Sequence, residues 1–412
     1  MAATVISSAA SLGMAILLVL VAFCAWALPR IIPAYDVHPS QADPSKSMSA
    51  VAYRTPGNSS TLQFYDKTHP MPKLRPDQIL IKVKAAGLNP CDFKLRRNSD
   101  LPIFFRPLPK IPGEDVAGIV VQIGPSRRKG GNSKFQIGDR VVAMMPGLGS
   151  RWGALAEYAA VDEAFVAKIG DKTSFVEAAS LPLVSLTALE AFEEIEKKAC
   201  SSTNNETQQK KILIHAGAGG VGSFAIQYAK KVLNMQVATT ASKRKKKFVR
   251  RLGADVVVDY ENEDFEHVLV DYDFIMDTLN WAYESRTLPP KLNMGRNETQ
   301  KHVLKRRGGH YLNMLSSDWS LTPNGKEKTN HGQSMINWLY YKIVNTVSPH
   351  KIEQYSLVVA RPDGAKLQYI MDLVQNGTIK AVVDKTFPLE NAATAFDYLE
   401  EGHASGKVVV TI

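Results

Sequence analysis

Four apolar runs, ILIKVKAAGL, VAGIVVQIG, DRVVAMM and ALAEYAAV, lie between residues 79 and 161, each of strand length and each set off by Gly or Pro. They predict a compact, mostly antiparallel β domain over residues 50–170. Beyond residue 171 the texture changes. The short apolar runs KILIHAG, MQVATTA, DVVVDY, DFIMDTL and GGHYLNML now alternate with segments of helical period. That alternation predicts a parallel, doubly wound sheet over 171–364, with its ligand at the carboxyl ends of the strands. The tail, 365–412, reads as helix (AKLQYIMDLVQNG), strand (TIKAVVDKTF), helix (LENAATAFDYLEEG) and strand (KVVVTI), and it is expected to return and complete the β domain. The fold class is α/β. Polar stretches at 126–134, 200–210, 284–307 and 318–332 read as surface insertions.

The N-terminus obeys a different pattern. No side chain from Thr4 to Leu28 is charged, and the run ending in SLGMAILLVLVAFCAWAL is long enough to span a bilayer, so residues 1–30 read as a transmembrane helix. A cleaved signal peptide is the rival reading: Ala25 and Ala27 give a small-x-small site, although no basic region precedes the apolar run. Arg30 and Lys46 follow the span and no basic residue precedes it, which orients the body toward the cytoplasm. Residues 31–49, rich in Pro, Ser and Asp without periodicity, read as a linker. Four N-x-S/T sequons, at Asn58, Asn205, Asn297 and Asn376, would matter only in a secretory lumen and are discounted. The organelle is not specified.

Candidate chemistry begins where KILI meets HAGAGGVG. Gly217, Gly219 and Gly222 satisfy GxGxxG, and Gly220, Val221 and Gly222 would open a helix whose unpaired N–H groups face a pyrophosphate. A Gly-rich strand-to-helix turn without a ligand is the plain alternative. In NAD-specific units an acid about 20 residues past the glycines meets the ribose. Here no acid intervenes before Asp255, and MQVATT runs into Thr240, Ser242 and Lys243 at the head of a cationic stretch. Cations in a helix's first turn oppose its dipole, whereas a 2′-phosphate would explain them, so NADPH is the expected cofactor. The net charge of +10, from 50 Lys and Arg against 40 Asp and Glu, does not by itself select a partner. The cationic run lacks interleaved aromatics, and no nucleic-acid role is expected. Three cysteines, Cys24, Cys91 and Cys200, cannot build a four-cysteine zinc site or a disulfide framework and suit a reducing compartment.

In order along the chain, AAGLNPCDFKLR, IPGEDVAGIVVQIG, FQIGDRVVAMM, GALAEYAAV, LPLVSLTALEAF, HAGAGGVG, RLGADVVVDY and GHASGKVVVTI resemble the medium-chain dehydrogenase/reductase superfamily. The details are similar to its zinc-independent quinone oxidoreductase branch, which includes chloroplast-envelope quinone oxidoreductase homologues, alkenal reductases and reticulon-interacting oxidoreductases. The resemblance implies a GroES-like β domain joined to a Rossmann domain. It places Asn89 of NPCD and Glu114 of PGED where zinc alcohol dehydrogenases carry a metal-binding Cys and His, so no metal site is expected. What remains is hydride transfer to an acceptor that is already electrophilic, a quinone or an α,β-unsaturated carbonyl. By the same resemblance Asn89 and Lys94 lie near the nicotinamide, Tyr260 near the adenosine, and Thr187, Leu279, Asn280, Leu312 and Asn313 near the ribose-nicotinamide half. Asn89 as a loop cap, Lys94 as a surface lysine and strand-end packing for the others remain the plain alternatives. The expected partners are a small lipophilic quinone or enone and the membrane, with room left for a homodimer. The alternative function is a membrane-tethered NADPH-binding interaction or sensor protein with little turnover.

Overall fold

The computed structural model describes residues 42–97, 107–125, 133–201, 209–279, 284–287, 303–305, 309–314 and 355–412. The apolar span 4–28 lies outside them. Among the described residues no helix is long and apolar enough to cross a membrane.

The expected linker ends earlier than residue 49. Residues Ala42–Tyr53 form strand β1, antiparallel to β2 (Leu62–Pro72), with Val51 opposite Phe64. The reason is tertiary. Met48 and Ala50 are fully buried, while the Ser49 N–H donates to the Glu157 carboxylate at 2.6 Å and the Ser49 hydroxyl accepts from the Lys67 N–H at 3.1 Å. A serine-rich segment becomes a strand because distant residues satisfy its polar groups.

The next strand, β3 (Gln78–Leu88), is buried along nearly its whole length. A strand with both faces covered reads as a near-continuous apolar run, as ILIKVKAAGL does. After helix α1 (Pro90–Arg97), strands β4 (Asp115–Ile123), β5 (Arg140–Met144), β6 (Tyr158–Asp162) and β7 (Val166–Lys168) complete the meander. β4 pairs with β3 and β5, β7 with β5, and β6 with β3, all antiparallel. Ile79, Ile81, Val116, Val141 and Leu155 form its core.

Helices α2 (Phe175–Ala179) and α3 (Pro182–Ser201) lead into the second sheet. There β8 (Lys211–Ile214), α4 (Gly220–Lys231), β9 (Gln236–Ala241), α5 (Lys246–Leu252), β10 (Val256–Asp259), β11 (Phe274–Asp277), β12 (His310–Met314) and β13 (Tyr355–Val358) wind a six-stranded sheet. Its order is β10-β9-β8-β11-β12-β13, parallel throughout. The aromatic rings of Phe192 on α3 and Tyr228 on α4 stack at 4.9 Å between these helices.

The tail divides its loyalties. Helix α6 (Gly364–Gln375) buries Leu367, Ile370 and Met371 in the same cluster as Leu189 and Phe192 of α3, and its Lys366 reaches Glu190 and Glu193 at 2.8 and 2.7 Å. The same helix also meets the first sheet, where the Lys168 N–H of β7 donates to Gln368 Oε1 at 2.8 Å. Strand β14 (Val383–Pro388), helix α7 (Ala392–Glu400) and strand β15 (Lys407–Thr411) follow, and β15 pairs antiparallel with β3, placing Val410 opposite Ala86. On α7, Glu400 forms ion pairs with Arg96 and Arg97 of α1, and Arg96 is completely buried.

Lys407, 4% exposed, sits where the two sheets meet. Its Nζ donates to the Leu88 carbonyl at 2.8 Å, to Asn89 Oδ1, and to Asp115 Oδ2 at 3.0 Å. Asp115, wholly buried, also accepts from Asn89 Nδ2 at 2.9 Å and from the Leu183 N–H at the start of α3 at 2.8 Å. Removing one partner of a buried ion pair strands the other, which costs about 3–5 kcal/mol. Lys407→Met is therefore expected to lose stability on that order in urea denaturation, and Lys407→Met/Asp115→Asn to recover much of it. Equal loss in the single and double variants would contradict this assignment.

Candidate active site

β8 delivers the chain into the glycine turn, and β9 holds the turn in place. The Thr239 hydroxyl donates to the Ile214 carbonyl at 2.6 Å, the Thr240 hydroxyl accepts from the Ala216 N–H at 3.0 Å, and the Gly217 N–H donates to the Thr240 carbonyl at 3.1 Å. Ala216 takes a left-handed φ of +50° at the bend. His215 beside it is fully buried, edge-on to Phe265 at 4.9 Å, and burial presses its pKa down to about 3, so it stays neutral.

The glycines have separate tasks. A Cβ on Gly217 would lie 2.0 Å from Thr239 Oγ1, and one on Gly222 would lie 2.5 Å from the Ala216 carbonyl, so these two let strand, turn and helix close on each other. A Cβ on Gly219 would meet nothing nearer than the Ala216 oxygen at 3.4 Å. The space above Gly219 is open, and the first-turn amides of Gly220, Val221 and Gly222 have no intrahelical acceptor. With no acid in that turn, the start of α4 favours an anion.

At the far end of β9 the structure revises part of the expectation. Thr240 is 1% exposed and engaged in the turn, so it braces the glycines instead of meeting a phosphate. Ser242 is also buried, whereas Lys243 is exposed. Ala241 pairs with Asp259, so Lys243 and the half-exposed Tyr260 leave neighbouring strands side by side. The Lys245 ammonium is committed to the carbonyls of His403 and Ala404, at 2.6 and 2.9 Å. Asp259, an acid close to this end that sequence reasoning passed over, accepts from Asn262 at 2.9 Å and from backbone amides including that of Lys243. Those bonds, the Asn262 one foremost, hold it below the usual carboxylate range.

The ribose-nicotinamide candidates scatter. Thr187 back-bonds to the Leu183 carbonyl within α3 at 2.7 Å. The Leu279 N–H donates to Asp277 at 2.8 Å just past β11, at the carboxyl edge where a ligand would lie. Leu312 and Asn313 are completely buried inside β12. Asn280 lies outside the described residues.

On the β domain, Asn89 is no loose loop residue. Its carboxamide bridges Asp115 and Lys407, and its N–H donates to Asp92 Oδ2 at 2.8 Å. The side chain expected near the nicotinamide is thus a node of the buried network. Lys94, half-buried, lies one turn along α1. Sequence reasoning missed Lys407 and Asp115, whose signal was charge at the start of each of two apolar strands, SGKVVVTI and EDVAGIVV.

Two family descriptions match the chain: a zinc-binding dehydrogenase over residues 252–410 and an alcohol dehydrogenase GroES-like domain over residues 75–171. Over 367 residues the chain is 34% identical to 2-methylene-furan-3-one reductase of Solanum lycopersicum, covering 88% of this chain and 79% of that protein. It is 33% identical over 372 residues to the chloroplastic NADPH-dependent alkenal/one oxidoreductase of Arabidopsis thaliana, covering 89% and 80%. The chain belongs to the medium-chain dehydrogenase/reductase superfamily. Its fold matches the quinone oxidoreductase of Coxiella burnetii with a TM-score of 0.67 at 28% identity, over 89% of this chain and all of that one.

The superfamily implies a zinc that these residues do not fit. An ammonium already sits on the Asn89 oxygen. Cys91, Asp92 and Glu114 bring donor atoms within 4.8 Å of one another, but Asp92 gives its two oxygens to the N–H groups of Asn89 and Gly113. The Cys91 thiol, for its part, hydrogen-bonds Glu114.

The glycines of this dehydrogenase/reductase turn make a paired prediction. Gly219→Ala should change unfolding stability by less than about 1 kcal/mol yet weaken NADPH at least tenfold, about 1.4 kcal/mol. Gly222→Ala should destabilise the fold itself by about 1–3 kcal/mol. Thermal melts and nicotinamide fluorescence titrations separate the two, and a Gly219→Ala protein with unchanged NADPH affinity would contradict the open-space argument.

Proposed function

We propose that this chain is a membrane-tethered, NADPH-dependent reductase that passes a hydride to a quinone or to the β-carbon of an α,β-unsaturated carbonyl, with lipophilic acceptors as its substrates. The observation that carries the reading is a contrast between the two domains. The Rossmann side offers an open amide-lined turn and exposed cations at the end of β9, suited to a phosphorylated dinucleotide, while on the β-domain side the donors Cys91, Asp92 and Glu114 do not suit zinc, because Asp92 already gives both oxygens to backbone N–H groups. A site that cannot polarise an inert alcohol or ketone suits an acceptor that is already electrophilic. The names of the tomato and Arabidopsis relatives agree, one an enone reductase and the other NADPH-dependent.

NADPH supplies the hydride. The chain's own residues orient it: the first turn of α4 takes the pyrophosphate, Lys243 with Arg244 beside it takes the 2′-phosphate, and Tyr260 flanks the adenosine. Lys94 is the cation proposed to face the negative charge that develops on the acceptor. Residues 4–28 anchor the protein, and Arg30 and Lys46 place the body on the cytoplasmic side. An enzyme held there meets prenyl quinones and lipid-derived enals where they concentrate.

NADPH should bind more tightly than NADH, and Lys243→Ala should erode the preference by roughly 1.5–3 kcal/mol, the worth of a charge-assisted contact. Fluorescence titration with both cofactors reads this out, and equal affinities in the unmodified protein would defeat the 2′-phosphate assignment. NADPH oxidation against a panel of quinones and 2-alkenals tests the reaction. For the anchor, the full chain in microsomes should resist alkaline carbonate extraction, lose its body to external protease and show no endoglycosidase shift. Release as a shortened, glycosylated lumenal protein would overturn the orientation and the tether together.

A further inference from the structure

The cations past the end of β9 outnumber what one cofactor phosphate can use, and the reading above engages only Lys243 and Arg244. We propose that the outer face of α5, carrying Lys247, Arg250 and Arg251, docks the body of this protein on an anionic phospholipid leaflet. The proposal rests on the membrane tether of that reading and names the surface that meets the bilayer.

The segment KRKKKFVRRLGA, residues 243–254, holds seven cations and no acid. Burial sorts them by face. Val249 is fully buried, and Phe248 and Leu252 pack against the same core, which turns the opposite side of α5 outward. Lys247, Arg250 and Arg251 stand on that side, all three exposed, at the i, i+3 and i+4 spacing of neighbours on a helix surface. Lys245 is committed to the carbonyls of His403 and Ala404, and the half-buried Lys246 faces the Asp259 charge. Among the described residues no carboxylate pairs with Lys247, Arg250 or Arg251. The end of α4 extends the patch. Gly253, which caps α5, lies against the stem of Lys230, where a Cβ would be 3.0 Å from the Lys230 Cβ. Asp255 neutralises Lys230 at 2.6 Å, whereas the exposed Lys231 donates to the Thr378 carbonyl at 2.8 Å and keeps its charge.

The helix itself gains little from this arrangement. Arg250 and Arg251 suit the dipole in the last turn, but Lys247 opposes it in the first and repels both arginines one turn away. An anionic partner relieves both penalties.

Shape and composition select the partner. The three cations spread along about 6 Å of a convex helix, where they cannot close around one small anion. A polynucleotide would favour an aromatic ring free for stacking, and Phe248 is packed against the core. A phospholipid leaflet offers dispersed charge that a stripe of any spacing can meet, with an attraction that acts within about 8 Å at physiological salt. Residues 29–41, between the apolar span and β1, reach at most about 45 Å when extended, so the tether keeps the body near the leaflet and charge decides the face it presents.

The test uses the full chain with NADPH, reconstituted in liposomes of phosphatidylcholine alone or with about 30% phosphatidylglycerol. Membrane-impermeant sulfo-NHS acetate labels exposed lysines, and mass spectrometry reads the rate at Lys247, with the exposed Lys172 before α2 as the control. With phosphatidylglycerol, labelling of Lys247 should slow at least about fivefold while that of Lys172 changes less than about twofold, and about 0.5 M KCl should restore the Lys247 rate. Arg250→Gln/Arg251→Gln should lose most of that protection yet keep unfolding stability close to wild type and the NADPH dissociation constant within about twofold, which separates a lost docking face from a lost fold or cofactor site. Equal Lys247 rates in the two liposomes of an inserted chain would overturn the docking face alone, and so would protection that survives Arg250→Gln/Arg251→Gln. Protection by a short RNA in phosphatidylcholine liposomes, with none from phosphatidylglycerol, would assign the stripe to a polynucleotide and overturn the lipid contact. A chain that alkaline carbonate strips from both liposomes would overturn the tether and the docked state with it.

Discussion

A single buried ammonium ties this molecule together. Lys407 enters the junction of the two sheets from the last strand of the chain and there meets Asp115 from β4 and Asn89 from the start of α1. An ion pair in that setting is tolerable only because its remaining valences are met, by the Leu88 carbonyl, the Asn89 amide and the Leu183 N–H. Each of these partners belongs to a different element. The network therefore fixes the start of α3, the end of β3 and the close of the tail relative to one another, and the preceding residue reinforces it: the Gly406 N–H donates to Ala218 inside the glycine turn at 2.8 Å.

The cofactor turn is consequently held from two sides. β9 holds it from beneath through the hydroxyls of Thr239 and Thr240, and the tail holds it from above through Gly406 and the Lys407 stem. Rigidity of this kind is what preorganised amide donors need, because they act on an anion without reorganising. The same tail brings α7 onto α1 through Glu400 and its two arginines, so the helix that carries Cys91, Asp92 and Lys94 is clamped at its far end. Two sheets built from separate periodicities are thus tied together at the glycine turn.

Charge follows chemistry around this junction. Where the wider superfamily can place a metal cation, this chain places a lysine ammonium on Asn89 and a thiol-bonded carboxyl at Glu114. Both changes point away from Lewis-acid polarisation and toward acceptors that need only an electron pair and a proton. The exposed cations at Lys243 and Arg244 stand just past the end of β9.

The chain's own pattern determined most of the architecture. Strands β3 to β6 and β8 to β12 fall on the apolar runs, because period and burial are local signals, and the glycine spacing at 217, 219 and 222 marked the turn, where a Cβ at 217 or 222 would clash and one at 219 would enter open space. The end of the linker was hidden, since the β1 strand is built from serines whose partners, such as Glu157, lie 108 residues away. The side-chain directions were hidden for a related reason. Thr240, Leu312 and Asn313 sit on the right strands, but which way a strand-end side chain faces depends on its neighbours in the sheet, and those turned them inward. Asn89, Asp115 and Lys407 are far apart in the chain, and a buried charge reveals its purpose only when its counter-charge arrives beside it. Sequence could place the charges; only the packing of two sheets against one another decided which of them would meet.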